Sequence, residues 1–482
     1  ESIVRNLLYI LIIILSGWGA DRPPDTIRFG VPELPDVLHP LYATDAMSSR
    51  IGRLLYQPLV DFDDSQRPVP RLARWEQITP QRYRFHIDAA AAPFSTGRKV
   101  TVEDIVATYA FVLDPANGSP HRSVLSVIER MEPHGESAID FVIVRADAHF
   151  PAYLTVGIVP AESLQGVPRK DTPPPGNGPF IAAGGDGRTT LRLVRRRDGQ
   201  AVELVAARDP LVRLLKLLRG EVHLVQNDLP PELFGYLADE AGIDVVSAPG
   251  TNFSYLGFNF EDPVTGDLRV RRAIAHAIDR EAIIRHLFRG RATRASSLFP
   301  PTHWLGLPLV DYPHDIGRAR DLLADAGFTA ESPLQLEYKT SSDPFRLRVA
   351  TILQAQLAQA GIRLELRSYD WGTFYGDIKT GNFQMFSLAW VGMKTPDSFR
   401  YLFHSRSVPP GGANRGRYHS DAADRFIEAG EAANDPAEGI EHYRRLQQLL
   451  LDELPYVPLW YEDNVMAIRD EVTGYRLAPD GN

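Results

Sequence analysis

Three times along this chain a helical stretch ends in Ala-Gly and an apolar residue follows, at 241–243, 326–328 and 360–362. Glycine tolerates the left-handed backbone that closes a helix, so each Ala-Gly reads as a helix stop with a strand after it. The last two stops follow helical spacing at 316–326 and 345–360. They lead to alternating segments, LQLEYK at 334–339 and IRLELR at 362–367. Helix alternating with strand over most of a chain implies α/β layers. With 482 residues the chain exceeds what one hydrophobic core serves, so two domains are expected.

Other segments extend the pattern. Residues 26–31, 83–87 and 139–144 read as strands. Thr101 opens a helix with Asp104 three residues on, close to a capping box. Val102, Ile105, Val106, Tyr109 and Val112 recur on one face until Asp114-Pro115. Residues 255–260, YLGFNF, read as a strand, and 270–278 as a short amphipathic helix. Asp279 caps a further helix that runs to Phe288 and stops at Gly290. In the last third, 383–390 reads as a buried strand. Residues 435–451 form a helix with Ile440, Tyr443, Leu446 and Leu450 inward, and 456–461 a short strand. The proline-rich pieces at 23–25, 172–179 and 409–412 are turns or loops.

The chemistry is limited by what is missing. There is no cysteine, which removes disulfides, thiol nucleophiles and thiolate metal sites. Lys plus Arg number 52 against 61 Asp plus Glu, so a global nucleic-acid surface is not expected. No GxxxxGK[ST], HExxH, GxSxG or GxGxxG occurs, and the thirteen histidines are scattered. His39 reads as a loop residue and His276 as a surface or hydrogen-bonded one. Asp63-Asp64 reads as a solvated turn and Arg195-Arg196-Arg197 as a hairpin rim. No catalytic residue, metal ligand or cofactor is expected. Aromatic and amide side chains at strand ends and loops stand out instead: Tyr42, Asn252, Tyr255, Tyr369, Trp371 and Trp390, with Trp460 a weaker member. Such residues offer rigid contact area and orient a polar solute.

The amino terminus points outward from the cell. Residues 7–15, LLYILIIIL, are too short for an ordinary membrane span. They lie between Arg5 and a small, polar, proline-containing stretch, the layout of an export signal. Gly17 and Gly19 are the small-x-small pair for cleavage, and the mature domain is expected to begin between 20 and 25. The run LSG at 15–17 is similar to a bacterial lipoprotein signal, but Trp18 follows where that signal has a cysteine. Tryptophan cannot form the lipid thioether.

Several blocks in order carry a more specific likeness: LLYQPLVDFD at 54–63, FSTGRKVTVEDIVATYAFVLDP at 94–115, GNGPF at 176–180 and RGEVHLV at 219–225. TNFSYLGFNFEDPVTGDLRVRRAIAHAIDREAIIRHLFRGRA at 251–292 is the strongest; AGI at 360–362, WVGMKTPD at 390–397 and LPYVPLWY at 454–461 follow. With these the chain, from about 26 to 481, resembles the family 5 extracellular solute-binding proteins of bacterial ABC importers, the dipeptide- and oligopeptide-binding proteins. The resemblance implies a two-lobed α/β periplasmic-binding-protein fold of type II-like form, with a ligand between the lobes. Lobe one would be 21–250 plus 466–482 and lobe two 251–465, after a signal-like segment at 1–20. It also implies an exported, monomeric, non-enzymatic receptor at the extracytoplasmic face that docks on membrane permease subunits and carries a small solute, a peptide first of all. Gly392 and Asp397 join the six aromatic and amide residues as ligand-site residues on this basis. One departure bears on the solute. Relatives that bind dipeptides have an aspartate directly after the tryptophan–glycine segment, where it holds the ligand's amino group. Here Trp390-Val391-Gly392 is followed by Met393, and Asp397 matches a later family aspartate. A nickel chelate, haem, a sugar or an opine is therefore the alternative solute. A hydrolase or an export-linked chaperone is the more distant reading.

Overall fold

The computed structural model describes residues 25–43, 45–165 and 173–481. The apolar run at 7–15, the Gly17/Gly19 pair and Trp18 lie outside the described residues. One sheet of eleven strands runs through the protein. Its order is Ile362–Tyr369, Leu334–Ser341, Met385–Trp390, Ile243–Phe258, Tyr456–Arg469, Leu224–Gln226, Thr26–Val31, Ala201–Ala206, Thr190–Arg195 and Phe180–Ala182. Ala292–Arg294 is added alongside Tyr456–Arg469. The two longest strands, Ile243–Phe258 and Tyr456–Arg469, pair antiparallel along most of their length and join the two halves of the sheet.

The cores separate on either side of that pair. One gathers Phe29, Val31, Leu55, Leu204 and Leu224 with a four-stranded antiparallel sheet (73–87 and 128–143) and the helix Val102–Leu113. On the other side, alternation along the strands gives each sheet face its own core. Leu256, Phe258, Leu336 and Met385 pack with the helices Leu268–Ala277 and Pro344–Gln359. Phe253, Tyr255 and Phe386 pack against Asp397–Phe403, Asp421–Ala432 and Pro436–Glu453. The protein is thus two-lobed and α/β.

Local expectations hold where the signal is local. Gly242, Gly327 and Gly361 have φ of 79°, 93° and 90°, and strands begin at Ile243 and Ile362, although the helix before Gly242 already ends at Leu237 and a turn carries the chain from there to the strand. After Gly327 the strand opens only at Leu334, because a turn at 329–332, closed by the Ser332 N–H on the Thr329 hydroxyl, intervenes. Asp104 caps Val102–Leu113 by accepting the Thr101 N–H at 2.9 Å. It also takes the Ala161 N–H at 2.9 Å and both Arg98 amino groups at 2.7 and 2.9 Å. Burial pushes this carboxyl up, but Arg98 and the two N–H groups outweigh it, and its pKa lies below the usual value.

Two strands are far longer than expected. The segment read as a strand at 255–260 proves to be, up to Phe258, the end of Ile243–Phe258, and 456–461 the start of Tyr456–Arg469. Their inner stretches, SAPGTN at 247–252 and YEDN at 461–464, carry turn-type composition. Pairing with each other overrides it, with irregularities between Ala248 and Asn252 and between Ser254 and Tyr255.

The GNGPF turn shows why its glycines are needed. Gly178 donates its N–H to Leu55 O at 2.8 Å, and Asn177 Oδ1 accepts from Gln57 N at 2.8 Å. A Cβ on Gly178 would sit 2.2 Å from Leu54 O, and one on Gly176 2.0 Å from Leu55 O. The turn therefore clamps the end of the helix Ala46–Leu55 backbone to backbone. Gly178→Ala is expected to cost about 1–3 kcal/mol in urea denaturation. Gly52→Ala lies in the same helix with nothing within 4 Å of its Cβ, and should be neutral or slightly stabilising.

Candidate functional site between the lobes

A cavity of ≈ 830 Å³ lies beside the helix Ala46–Leu55. Asp45 caps that helix by accepting the Ser48 N–H at 2.8 Å, and its side chains Arg50 and Arg53 reach the cavity. From the same half of the protein come Glu33, Asp61, residues 155–157 and Asp228. The opposite wall is Asn252, Val391, Gly392 and Lys394, and Asp480 and Gly481 complete the lining. Asn252 stands where the ladder between the two long strands resumes after its irregularity, and Gly392, with φ of 72°, turns the chain after Met385–Trp390.

The cavity is rich in charge, and Asp480 joins cations from its two walls. Arg53 binds Asp480 at 2.8 Å and Asp61 at 2.7 Å. Lys394 forms an ion pair with the same Asp480 carboxylate, and its ammonium lies 5.1 Å over the Phe62 ring. Burial pulls the Lys394 pKa below the usual lysine value, and Asp480 opposes that shift. The Asp228 carboxyl is pushed up by burial, with Glu33 adding to the shift and Arg50 and Arg213 opposing it. The segment that brings Asp480 in is tied down by its backbone. Arg50 donates to Gly481 O, Gln226 Nε2 donates to the same oxygen at 2.8 Å, and Asn464 Nδ2 donates to Ala478 O and Pro479 O at 3.0 and 2.9 Å.

The lobes also touch away from the cavity. Trp304 N–H donates to Ser65 O at 3.2 Å, Arg145 pairs with Glu431 at 3.8 Å, and the His149 ring lies 5.8 Å from Tyr443. Among the described residues no group of three His, Cys, Asp or Glu side chains could hold a metal ion.

Of the eight residues singled out from the sequence, Asn252 and Gly392 line the cavity. The other six are not among its lining residues. Tyr255 is 0 % exposed, stacked 3.9 Å from Tyr456 and 6.1 Å from Trp390. Trp390 lies under the Arg415 guanidinium at 4.4 Å, and Arg415 also donates to the Tyr255 and Tyr375 hydroxyls. Both rings belong to the helix-covered face of the sheet, because residues 386, 388 and 390 alternate onto it with Phe253 and Tyr255. Tyr42 packs edge-on against His39 and Phe111. Trp371 is exposed on its helix and stacks on Tyr375, and Tyr369 lies 5.6 Å from the Lys339 ammonium. Asp397 accepts from the Thr395 hydroxyl at the start of Asp397–Phe403, and burial raises its pKa. Sequence reasoning missed Arg50, Arg53, Lys394 and Asp480. No local pattern joins residues that stand 86 and 427 positions apart.

A family model, bacterial extracellular solute-binding proteins, family 5 (middle), matches residues 67–409. This chain belongs to that family. A probable di/tripeptide-binding protein of Pseudomonas aeruginosa is 28% identical over 511 residues, covering 98% of this chain and 97% of that one. Among solved structures, NikA from Brucella suis in complex with Fe(III)-EDTA superposes with a TM-score of 0.84 at 20% identity, covering 94% and 97% of the two chains. The oligopeptide-binding protein AppA from Bacillus subtilis, in complex with a nonapeptide, gives 0.76 at 22% identity, covering 96% and 97%. Membership makes this family 5 protein an extracytoplasmic solute-binding component of an ABC importer rather than an enzyme.

One histidine of the family 5 chain sits at the lobe contact and sets a pH test. His303 stacks on Phe299 at 4.4 Å and accepts the Leu305 N–H at 3.1 Å. Burial, with Lys394 nearby, pulls its pKa down to about 3, so the folded imidazole is neutral. The unfolded imidazole takes up a proton below a pH of about 6.5. The folded state therefore loses stability through this group as pH falls from about 6.5 toward 3. His303→Gln should lose less stability on acidification than the wild type. Urea midpoints of the two proteins between pH 4 and 7 check this, and a difference that stays constant across the range contradicts it.

Proposed function

We propose that the protein is exported to the periplasm and works there as a monomeric receptor that captures a short peptide in the interlobe cavity and hands it to the permease. The observation that carries this reading is a cavity of ≈ 830 Å³ walled from both sides, with an amide, a turn backbone and paired charges facing inward. That volume falls within the range usual for small-ligand sites, about 300–1,000 Å³. The di/tripeptide-binding relative, similar over nearly its whole length, supports a peptide. In this reading lobe one is 21–250 with 466–482 and lobe two is 251–465. The hinge lies where Ile243–Phe258 and Tyr456–Arg469 pass from one to the other. Closure brings the Asn252 and Gly392 wall onto the solute, whose polar atoms must find partners as water leaves. The side chains of Tyr42, Tyr255, Tyr369, Trp371, Trp390 and Asp397 act in this scheme as supports or surface groups.

Met393 favours one second reading. It stands where the dipeptide-binding relatives carry the aspartate for the ligand's amino group, and its sulfur lies 3.8 Å from the Ser398 hydroxyl instead. A metal chelate needs no such aspartate, and NikA in complex with Fe(III)-EDTA shares the fold.

Calorimetric titration with trialanine and with Fe(III)-EDTA separates the two. The peptide reading expects trialanine to bind one-to-one and to be recovered unaltered, with Fe(III)-EDTA silent. Asn252→Ala should weaken that binding about tenfold, the equivalent of roughly 1.4 kcal/mol, at an unchanged melting temperature. Binding of the chelate alone, or cleavage of the peptide, would overturn it.

A further inference from the structure

We infer that Arg53 and Lys394 form a carboxylate-binding subsite inside the cavity, which Asp480 fills from within the chain and which a carboxylate-bearing solute takes by displacing residues 478–481. This deepens the solute-receptor reading and rests on it.

Two cations from opposite walls converge on a single oxygen, Asp480 Oδ2. The Asp480 side chain is 3 % exposed and that of Lys394 14 %. A buried ammonium without a counter-charge is expensive, so Lys394 requires an anion at that point whatever else enters the cavity. Asp480 is well placed to be exchangeable. It comes from a stretch outside helix and strand: Leu477 packs on the core and Tyr475 lies edge-on to Phe29, whereas Ala478, Pro479 and Gly481 are held through their carbonyl oxygens by Asn464, Arg50 and Gln226. Those contacts also explain how the carboxylate is presented at a fixed depth. Asp61 shares Arg53 at 2.7 Å and stays with it when Asp480 leaves, so the guanidinium is never without a partner. Lys394 has no second carboxylate within ion-pair distance among the described residues. It is therefore the group that selects for an anionic end on the solute. The Phe62 ring beneath it gives further cation–π support and fixes the direction of approach.

The same carboxylate links the two halves of the protein. Asp480 bridges Arg53, on the helix Ala46–Leu55, to Lys394, just after Met385–Trp390. A solute carboxylate in its place makes the same bridge, so closure is preserved as the occupant changes. A solute whose terminus is an amide cannot make it and leaves Asp480 where it is.

Two measurements test this. In the first, trialanine and trialanine amide are titrated into the wild type, Asp480→Asn and Lys394→Met. Removing the internal competitor should widen the preference for the acid over the amide about tenfold in Asp480→Asn. Lys394→Met should bring that preference close to one. Equal acid-to-amide ratios in all three proteins would overturn the subsite. If neither peptide binds any of them, the peptide reading fails instead, and the second measurement decides this proposal alone. Amide hydrogen exchange at 478–481 is followed in the wild type in sodium acetate and in sodium chloride of equal ionic strength, and in Asp480→Asn in chloride. Exchange several-fold faster in acetate, and in the variant, is expected. Identical protection in all three conditions means that the segment is held by its backbone contacts alone and sinks the inference.

Discussion

The structure depends on one ladder. Ile243–Phe258 and Tyr456–Arg469 are the strands by which a single sheet continues from one lobe into the other, and they pair antiparallel with each other. Each contributes to cores on both sides of the crossing. Ile243 and Val465 pack near Leu214, Leu217 and Phe234, whereas Phe253, Tyr255 and Tyr461 pack with the aromatic cluster of the far half. Between those cores neither strand has an apolar face to bury. Its middle can therefore be polar and irregular, and the irregular stretch lies at the cavity. Asn252 lines the cavity where the ladder resumes after its shift in register.

Around the ladder, the cavity is governed by the cost of burying charge. Arg53 is compensated by Asp61 and Asp480, and Lys394 by Asp480. Backbone geometry brings these groups within reach. The helix that carries Arg50 and Arg53 is clamped at its end by Gly176 and Gly178, which approach its carbonyl groups more closely than any side chain allows. A turn motif far away in sequence thus sets where two arginines point. The wall across from them is set by Gly392, whose left-handed backbone directs the chain from Trp390 to Lys394.

The contrast between Trp390 and Lys394 shows how far a residue type alone informs about a site. Aromatic side chains near a strand end suggest a ligand platform. Here strand alternation carries Trp390 to the helix-covered face, where Tyr255, Tyr456 and Arg415 occupy its surroundings. Lys394 carries no local signal of its own and would pass for a solvated cation, yet it is buried in the cavity wall. The same holds for Asp480, whose partners Lys394 and Arg53 stand 86 and 427 positions away.

The sequence by itself determined what short-range physics controls. Helix stops at Gly327 and Gly361, caps at Thr101–Asp104 and Asp279, the alternating strands at 334 and 362 and the glycine turn read correctly, because each depends on residues within a few positions of one another. Ordered blocks of such elements were enough for the family and for two lobes. The tertiary structure alone decided the length of the crossing strands, the face to which each aromatic turns and the convergence of Arg53, Lys394 and Asp480. Those outcomes depend on long-range pairing that overrides local composition, and on charges that meet only once the chain has folded.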